Sequence, residues 1–417
     1  MRLKRMLGLL CAASISVLLA GNVSAQDKTV KIGGIYPLSG NAASAGTHSK
    51  AAIETAVEII NNAHPELGNL PLAKNAGLAG LGGAKVDVVF ADNQGSPAVG
   101  QNQALRLITE EKVVALTGAY QSGITLTTSA IAEKYGIPYV AGESVASSLT
   151  ERGFKWFFRV TPVASDFARI YLDFLKDMKA GGAKVDNIAL VHENTEYGTS
   201  VASVITGVFK DNGLSIGLDI AYSANTTDVQ SQVLQLKDKQ PDVVIMVSYT
   251  SDAILFAKTM QALDYKPALM MADNSGFSDP SLIKTAGKLV QGIFNRSSFS
   301  IGPPGSPTFL INEMYKKRSG DDLDDTAART MQGFFVLCDA IDRAGSTEPA
   351  KIQAALKATD LKPDQLIMGY KGVKFDEKGQ NTLASGLVIQ LQDGEHYVPV
   401  WPKEKAVTAP ALPYKGW

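Results

Sequence analysis

The residues best suited to chemistry lie in short polar loops that directly follow apolar, β-branched runs. In residues 117–125, such a run ends in small and hydroxyl-bearing residues that open the next helical segment. Backbone amides at the start of a helix, together with the hydroxyls of Ser122 and Thr125, suit a carboxylate group. The alternative is that Ser122 only caps that helix, which is the usual role of an isolated serine.

A second loop, residues 142–146, combines backbone amides with the side chains of Glu143 and Ser144. Its Gly-x-Ser-x-Ala pattern is similar to the nucleophile elbow of a hydrolase, which an acid and a histidine, here His192 or His396, would complete. So short a pattern also arises by chance, and the sequence contains no glycine run of the kind that forms an oxyanion hole. We therefore favour ligand binding over hydrolysis for this loop.

Three further loops, in the second half of the chain, also begin with a polar or aromatic side chain soon after an apolar run. These side chains are Tyr197, Tyr249 and Asp273. In open parallel sheets, ligands bind beyond the carboxyl ends of the strands, so all five loops can meet in one cleft. Taken singly, each tyrosine is better explained by packing.

From residue 30 onward, short β-branched runs alternate with amphipathic segments of helical period, a pattern typical of parallel α/β architecture. The predicted strands lie at residues 30–37, 85–91, 113–117, 137–141, 185–192, 216–221, 242–247 and 267–272. We predict an α/β fold of two Rossmann-like lobes, with parallel sheets flanked by helices and joined by hinge strands. The glycines of an insertion at residues 63–83 precede a strand, whereas a dinucleotide fingerprint follows one, so we predict a surface loop.

Beyond residue 290 the chain changes to helical segments and then to short strands. The helices are predicted at residues 309–318, 325–344 and 349–358, and the strands at residues 373–375, 387–392 and 397–401. Such a tail cannot form a core alone, so we expect it to pack onto the two preceding sheets. The predicted lobes are therefore discontinuous, with residues 26–161 plus 295–369 in lobe 1 and residues 162–294 plus 370–417 in lobe 2.

The composition excludes several classes of partner. Lys and Arg number 40 against 41 Asp and Glu, so the sequence carries no electrostatic footprint for nucleic acid or an anionic membrane surface. The four histidines are scattered, and export would leave Cys338 as the only cysteine. We therefore predict no internal disulfide, no metal and no cofactor.

The start of the chain predicts export. A basic segment precedes an apolar run at residues 6–20 that is short for a membrane span, and small residues suit cleavage after Ala25. We predict a signal peptide at residues 1–25 and a periplasmic mature protein; the alternative is an uncleaved membrane anchor. Cys11 follows Leu10 where a lipobox has a small residue, so no lipid anchor is expected.

Several sequence segments, spread over nearly the whole mature chain, together indicate a protein family. They are VKIGGIYPLSGNAASAG, YGIPYVAGESVASSLTERGFKWFFRVTP, ALVHENTEYGTSVA, TTDVQSQVLQLKDKQPDVVIMVSY, DAIDRAGS and GVKFDEKGQ. In this order and spacing, residues 30–401 resemble the leucine/isoleucine/valine-binding proteins, periplasmic receptors of ABC importers. The resemblance implies a Venus-flytrap fold and a monomeric, non-enzymatic receptor. Such a receptor captures a branched-chain or similar aliphatic amino acid and delivers it to an inner-membrane ABC permease with its ATPases.

The resemblance also implies roles for individual residues. Ser122, Ser144 and Val145 correspond to positions that contact the ligand, with Ser122 and the loop that follows it binding its α-carboxylate. Two tyrosines that close over the ligand from the second lobe correspond to Tyr197 and Tyr249. Val145 stands where a threonine is usual, so its backbone amide can still bind, but the hydroxyl that helps to hold the α-ammonium group is absent.

The family's acidic partner for the ammonium group falls at Asp273, or at Asn274 or Ser275 if the alignment has a gap there. Glu143 stands where the family has a small residue and offers a replacement charge. Ala45 corresponds to an aromatic wall residue of some members, which leaves room for a larger ligand side chain. Two alternatives stay open: a ligand without an amino group, such as an aromatic acid or a small amide, and a role in presenting the ligand to a sensor.

Overall fold

The structure is a computed structural model that describes residues 29–417. The predicted signal peptide at residues 1–25 lies outside the described residues. Two mainly parallel sheets flanked by helices form two lobes, so the predicted α/β fold class is confirmed. Within the described range, no helix is both long and apolar enough to cross a membrane.

The first lobe is built on a five-stranded parallel sheet. Its strands are β1 (Thr29–Tyr36), β2 (Lys85–Asp92), β3 (Leu116–Gly118), β4 (Tyr139–Ala141) and β5 (Phe157–Arg159), in the spatial order β2-β1-β3-β4-β5. The helices between them are α1 (Ala43–Asn61), α2 (Pro97–Thr109) and α3 (Ser122–Tyr135). Parallel sheets are usually covered on both faces, and the short strands β3, β4 and β5 are indeed buried along their whole length.

The second lobe is built on a mixed seven-stranded sheet. Its strands are β6 (Ile188–Glu193), β7 (Ile216–Tyr222), β8 (Val243–Val247), β9 (Leu269–Ala272), β10 (Phe294–Ser297), β13 (Leu387–Leu391) and β14 (Tyr397–Trp401). The helices are α4 (Ala164–Ala180), α5 (Glu196–Asp211), α6 (Gln230–Lys239), α7 (Thr250–Ala262) and α8 (Pro280–Ala286). β13 pairs antiparallel with both β10 and β14, so the C-terminal chain returns to complete this sheet. A separate two-stranded sheet joins β11 (Asp360–Leu361) and β12 (Val373–Lys374).

Later helices return to the first lobe. They are α9 (Pro307–Ser319) and α10 (Asp325–Ala344), which pack on α1, and α11 (Pro349–Lys357), which packs on α10. The residues of α10 from Asp325 to Ile341 are all buried, as expected for a helix that is apolar on most sides. The Asp324 carboxylate caps its start by accepting hydrogen bonds from the amides of Thr326 and Ala327 (2.7 and 3.2 Å).

The structure departs from the predicted elements in two places. The sequence patterns do not predict β10, because its Phe-Asn-Arg-Ser run is mostly polar although all four residues are buried. The predicted lobe boundary at residue 294 therefore falls inside a strand of the second sheet. The insertion at residues 63–83 buries Leu67, Leu70 and Leu78 against the core around α1 and α10, so it is packed onto that lobe and is not a free loop.

A glycine at position 142 lets the loop after β4 lie directly on α10. A Cβ on Gly142 would lie 2.4 Å from the carbonyl oxygen of Arg329, and a Cβ on Gly333 would lie 3.1 Å from the Cα of Gly142. No side chain fits into this gap unless the backbone moves. The close approach places Glu143 beside α10.

We expect Gly142→Ala to lower the free energy of unfolding by about 1–3 kcal/mol, because the added methyl group has to displace the backbone of α10. The matched control is Gly207→Ala on α5, where an added Cβ meets nothing within 4 Å. There alanine should raise the free energy of unfolding by about 0.5–1 kcal/mol through its higher helix propensity. Urea unfolding measures both effects, and equal stabilities of the two variants would contradict the tight contact at Gly142.

Candidate functional site

A small cavity lies between the two lobes, at the carboxyl ends of the strands. Loops after β3 and β4 form one wall, and the second lobe supplies most of the other. The residues that line the cavity are Tyr120, Ser122, Glu143, Ser144, Val145, Tyr197, Tyr249, Ser275, Arg296 and Arg329. Six of the eight predicted site residues therefore meet here, and the two exceptions are Thr125 and Asp273.

Hydrogen bonds between its own loops hold the first-lobe wall. The Ser144 hydroxyl donates to the carbonyl oxygen of Tyr120 (3.0 Å) and lies 2.6 Å from the hydroxyl of Thr125. Ser122 is the first residue of α3, where backbone amides have no partner inside the helix. Its hydroxyl accepts a long hydrogen bond from the amide of Ala146 (3.4 Å). The wall thus presents a helix start that is fixed in place by its neighbours.

Thr125 supports this wall instead of lining the cavity, which corrects its predicted role as a ligand contact. Its hydroxyl is fully buried and accepts a hydrogen bond from the amide of Ala119 (3.0 Å). In the same loop, Tyr120 has a φ of 70°, a left-handed conformation that costs a non-glycine residue about 1–3 kcal/mol. The hydrogen bonds of Thr125 and Ser144 help to offset that cost.

Ser144 lacks the partners of a hydrolase nucleophile. Its hydroxyl contacts another hydroxyl and a backbone carbonyl, and within residues 29–417 no histidine is hydrogen-bonded to it. A ring nitrogen of His192 lies 3.0 Å from the carbonyl oxygen of Glu193, and His396 is exposed. The geometry therefore supports the binding interpretation of this loop.

Three aromatic rings close the cavity from both lobes. The ring centroids of Tyr197 and Tyr249 are 5.3 Å apart, and the ring of Tyr120 lies 5.7 Å from that of Tyr249. The hydroxyls of Tyr120 and Ser275 lie 2.9 Å apart and form a hydrogen bond across the cleft. Tyr120 was not singled out from the sequence, because a tyrosine in a loop gives no local signal of its contacts.

Asp273, predicted as a ligand contact, has several partners within the protein. Its carboxylate accepts two hydrogen bonds from the Arg296 guanidinium (2.7 and 3.1 Å) and one each from the hydroxyls of Tyr171 (2.5 Å) and Tyr197 (2.8 Å). Burial disfavours the charged form, but the guanidinium and these hydrogen bonds outweigh it and hold the pKa of Asp273 below its usual value. Asp273 is therefore neutralised and not open to a ligand ammonium group.

Two arginines in the cavity wall were missed by sequence reasoning. Arg296, on β10, pairs with Asp273 but has no partner for its Nη1 among the described residues. Arg329 donates to Asp325, four residues earlier in α10 (2.8 Å), and to the carbonyl oxygen of Glu143 (2.8 Å). A signal existed for Arg329, because opposite charges at i and i+4 inside an apolar helix indicate a buried ion pair. No comparable local pattern surrounds Arg296.

Glu143 is buried but only half of its carboxyl group has partners. Oε1 accepts hydrogen bonds from the hydroxyls of Tyr36 (3.1 Å) and Thr330 (2.5 Å), whereas Oε2 has no partner within residues 29–417. Burial raises the pKa of Glu143, and Thr330 and Arg329 counteract this only in part. The hydroxyl of Tyr249 also lacks a partner in the described part of the chain. Because buried polar atoms are normally paired, these atoms indicate a site for a polar ligand.

A larger and more open cavity lies beside α8 and the start of α10. It shares no lining residue with the closed cavity. Several acidic residues line it, but Asp321 is paired with Lys284 and Asp322 with Lys316 (3.0 Å). The closed cavity, with its unpaired polar atoms, is the better candidate for ligand binding.

Comparison with known proteins identifies the family. Residues 29–395 match the family model described as periplasmic binding protein. The chain belongs to this family. Leu/Ile/Val-binding protein homolog 7 of Brucella suis is 33% identical over 97% of this chain and 99% of its own length. Homolog 8 of Brucella abortus is 33% identical over 98% of both chains. The predicted family and its solute-binding role are thereby confirmed.

Solved structures share the two-lobed fold. A leucine binding protein from Thermotoga maritima has a TM-score of 0.73 at 22% identity and covers 88% of this chain and 97% of its own. A solute binding protein from Rhodopseudomonas palustris BisB5, in complex with 3,4-dihydroxy benzoic acid, has a TM-score of 0.75 at 20% identity and covers 92% and 99%. At these identities the likeness shows the fold alone.

We expect Arg296→Met to lower the free energy of unfolding by about 3–5 kcal/mol at neutral pH, because it leaves the Asp273 carboxylate buried and unpaired. In the variant the pKa of Asp273 rises, so the penalty should shrink as the pH falls and Asp273 takes up a proton. The double variant Asp273→Leu/Arg296→Met removes both charges and should recover most of the loss. Denaturant unfolding at several pH values measures this cycle, and additive losses would contradict the pairing.

Proposed function

We propose that the protein is the periplasmic solute-binding component of an ABC importer and holds a branched-chain or similar aliphatic amino acid between its lobes. The observation that carries this proposal is a set of unpaired polar atoms in a closed cavity. Two are donors, Arg296 Nη1 and the Tyr249 hydroxyl, and one is an acceptor, Glu143 Oε2. A small ligand that carries both a carboxylate and a donor group satisfies all three.

In this proposal the carboxylate lies between the start of α3 and the donors of the second lobe. The unpaired amides near Ser122 and the positive end of the helix dipole favour an anion. Arg296 and Tyr249 reach the cavity from the opposite wall. Because these donors belong to different lobes, a carboxylate uses both sets only in the closed form, so the ligand stabilises closure. No bond of the ligand is broken.

Contacts outside the cavity also hold the lobes together. The Ser44 hydroxyl donates to the Asp279 carboxylate (2.8 Å), and the Ser148 hydroxyl donates to the Glu196 carboxylate (2.6 Å). Each pair joins a first-lobe residue to a second-lobe residue. Hydrogen bonds to charged groups contribute about 1.5–3 kcal/mol each, so these two contacts favour the closed form in addition to the ligand.

The ligands of structural neighbours include both amino acids and aromatic acids. A neighbour from Streptococcus pneumoniae was solved with isoleucine and one from Desulfitobacterium hafniense with leucine, whereas one from Rhodopseudomonas palustris was solved with benzoate. An amino acid is favoured here because Glu143 Oε2 needs a donor, which a simple aromatic acid lacks. A carboxylate without an amino group is the second candidate, supported by Val145, which offers no hydroxyl.

We further propose that the signal peptide is removed after Ala25 and that the mature monomer diffuses in the periplasm without a lipid anchor. Family membership supports the periplasmic location. An inner-membrane permease with its ATPases receives the ligand. The protein acts by binding alone, because no histidine within residues 29–417 is hydrogen-bonded to Ser144 as a general base. Presentation of the ligand to a sensor is the alternative role, and uptake of labelled ligand by cells with and without the gene distinguishes the two.

A thermal-shift screen of the purified mature protein tests the proposed ligand class. Aliphatic amino acids should raise the unfolding temperature, because a ligand at 100 times its Kd stabilises the native state by about 2.7 kcal/mol. Aromatic acids and small amides provide the comparison. A shift with aromatic acids alone would support the second candidate, and the absence of any shift in all three classes would refute the proposal.

We expect Tyr249→Phe to weaken ligand binding about 3- to 10-fold with at most a small loss of stability in the free protein, because within residues 29–417 its hydroxyl makes no short hydrogen bond and only a weak one with Thr195. The matched control is Tyr197→Phe, whose lost hydroxyl donates to the Asp273 carboxylate. That change should lower the free energy of unfolding by about 1.5–3 kcal/mol. Calorimetric titration and urea unfolding measure the two effects, and an unchanged affinity in Tyr249→Phe would exclude its hydroxyl from the site.

A further inference from the structure

We propose that Glu143, in place of Asp273, receives the ligand's ammonium group, so that the cavity selects an amino acid over a carboxylic acid with the same carbon skeleton. The assignment rests on the proposed function, because it concerns the same cavity. It moves the ammonium site from the second lobe, where the family resemblance places it, to the first.

The geometry leaves one oxygen of Glu143 open to a ligand. Glu143 is 4% exposed and lines the cavity. Its Oε1 is held by the hydroxyls of Tyr36 and Thr330, whereas Oε2 has no partner in the described residues. Arg329 donates to the backbone carbonyl of Glu143 and not to its carboxylate. The carboxylate is therefore fixed in position with one acceptor atom unused.

The charge balance of the cavity favours a cation at this point. The two guanidinium groups in the wall are already paired, Arg296 with Asp273 and Arg329 with Asp325. Glu143 is the remaining carboxylate of the wall and has no ion-pair partner among residues 29–417. A buried charge without a partner is costly, so Glu143 has to take up a proton or meet a cation from the ligand.

The groups packed around Glu143 do not supply that cation. The titratable and charged groups around it are, in its own lobe, Tyr36 of β1, Tyr139 of β4, Tyr120 and Arg329 of α10 and, across the cavity, Tyr197, Tyr249 and Arg296. The phenols are neutral, since burial raises their pKa values further above 10.0. Both arginines are engaged by aspartates, so the ligand is the remaining source of a positive charge.

Proton release gives a second way to measure the same arrangement. Burial raises the pKa of Glu143 in the folded protein. The stability linked to its protonated form is present at pH values below the unfolded-state pKa and is lost as the pH rises through the folded-state pKa. A ligand ammonium group instead stabilises the ionised carboxylate. Binding of an amino acid should therefore release more protons than binding of the matching acid.

The neighbouring positions explain why an acceptor is needed here. Val145, on the same loop, offers no side-chain acceptor. Asp273, the second acceptor that the resemblance implies, is held by Arg296. Glu143 lies two residues before Val145 on the same loop, so it reaches the same wall of the cavity.

The test compares wild type with Glu143→Gln by calorimetric titration against two matched pairs: L-leucine with 4-methylpentanoate, and L-phenylalanine with 3-phenylpropanoate. Glutamine keeps an oxygen that can accept from Tyr36 and Thr330 but does not neutralise an ammonium group. Wild type should bind the amino member of at least one pair about tenfold or more tightly than its partner, because charge-assisted hydrogen bonds are strong. Glu143→Gln should abolish that preference.

Two controls separate recognition from a structural role. Glu196→Gln removes a carboxylate outside the cavity that accepts a hydrogen bond from the Ser148 hydroxyl. This variant should change the affinities of both members of a pair by the same factor. Unfolding of the free proteins at neutral pH should show that Glu143→Gln is at least as stable as wild type, because it removes a buried charge. A carboxylate needed only for structure would instead lower the stability when replaced.

Two results would overturn the inference alone: a preference that survives in Glu143→Gln, or a wild type that binds the acids at least as tightly as the amino acids. The inference would also be overturned if Glu143→Gln lost stability but still preferred the amino acid to the matching acid. If wild type bound no member of either pair and no compound of the thermal-shift screen, the proposed function would fail and the inference with it.

Discussion

The guanidinium of Arg329 is the interaction on which the rest of the cleft depends. It is 2% exposed and donates to Asp325 on its own helix, to the carbonyl oxygen of Glu143 in the first lobe, to Thr161 (3.2 Å) and to Asn274 in the second lobe (2.6 Å). One side chain thus joins the segments that meet at the cleft. Because its N–H donors lie in a rigid plane, it also constrains the distances between them.

Such buried ion pairs are tolerated only when the remaining donors and acceptors also have partners. Asp325 meets this condition, because it also accepts from the Ser297 hydroxyl (2.8 Å) and the Ser298 amide (2.5 Å). Asp273 meets it through two tyrosine hydroxyls. The ion pairs therefore serve mainly to place α10 and the strand ends relative to each other. Two atoms of the cavity wall do not meet the condition, because Arg296 Nη1 and Glu143 Oε2 have no partner within residues 29–417.

The site residues that directly follow a predicted strand could be predicted from the sequence. Ser122 and Tyr197 each follow a strand soon after it ends, and in each sheet the parallel strands bring such loops to the carboxyl edge. That the two edges face each other follows from the two-lobed fold. The neutralisation of Asp273 was not predictable, because it depends on the parallel pairing of β9 with β10, and the mostly polar sequence of β10 does not indicate a strand. Whether Glu143 or Asp273 stays free depends on this pairing, which no local pattern records.

The hydrogen bonds between the lobes at Ser44 and Ser148 lie outside the cavity. They stabilise the closed form, and the apparent Kd is inversely proportional to the fraction of molecules that is closed. A change at the rim therefore multiplies the affinity for every ligand by one factor and leaves the ratios between ligands unchanged. Substitutions at Ser44 or Ser148 can therefore change the affinity and the residence time of every ligand without changing which ligand the protein prefers.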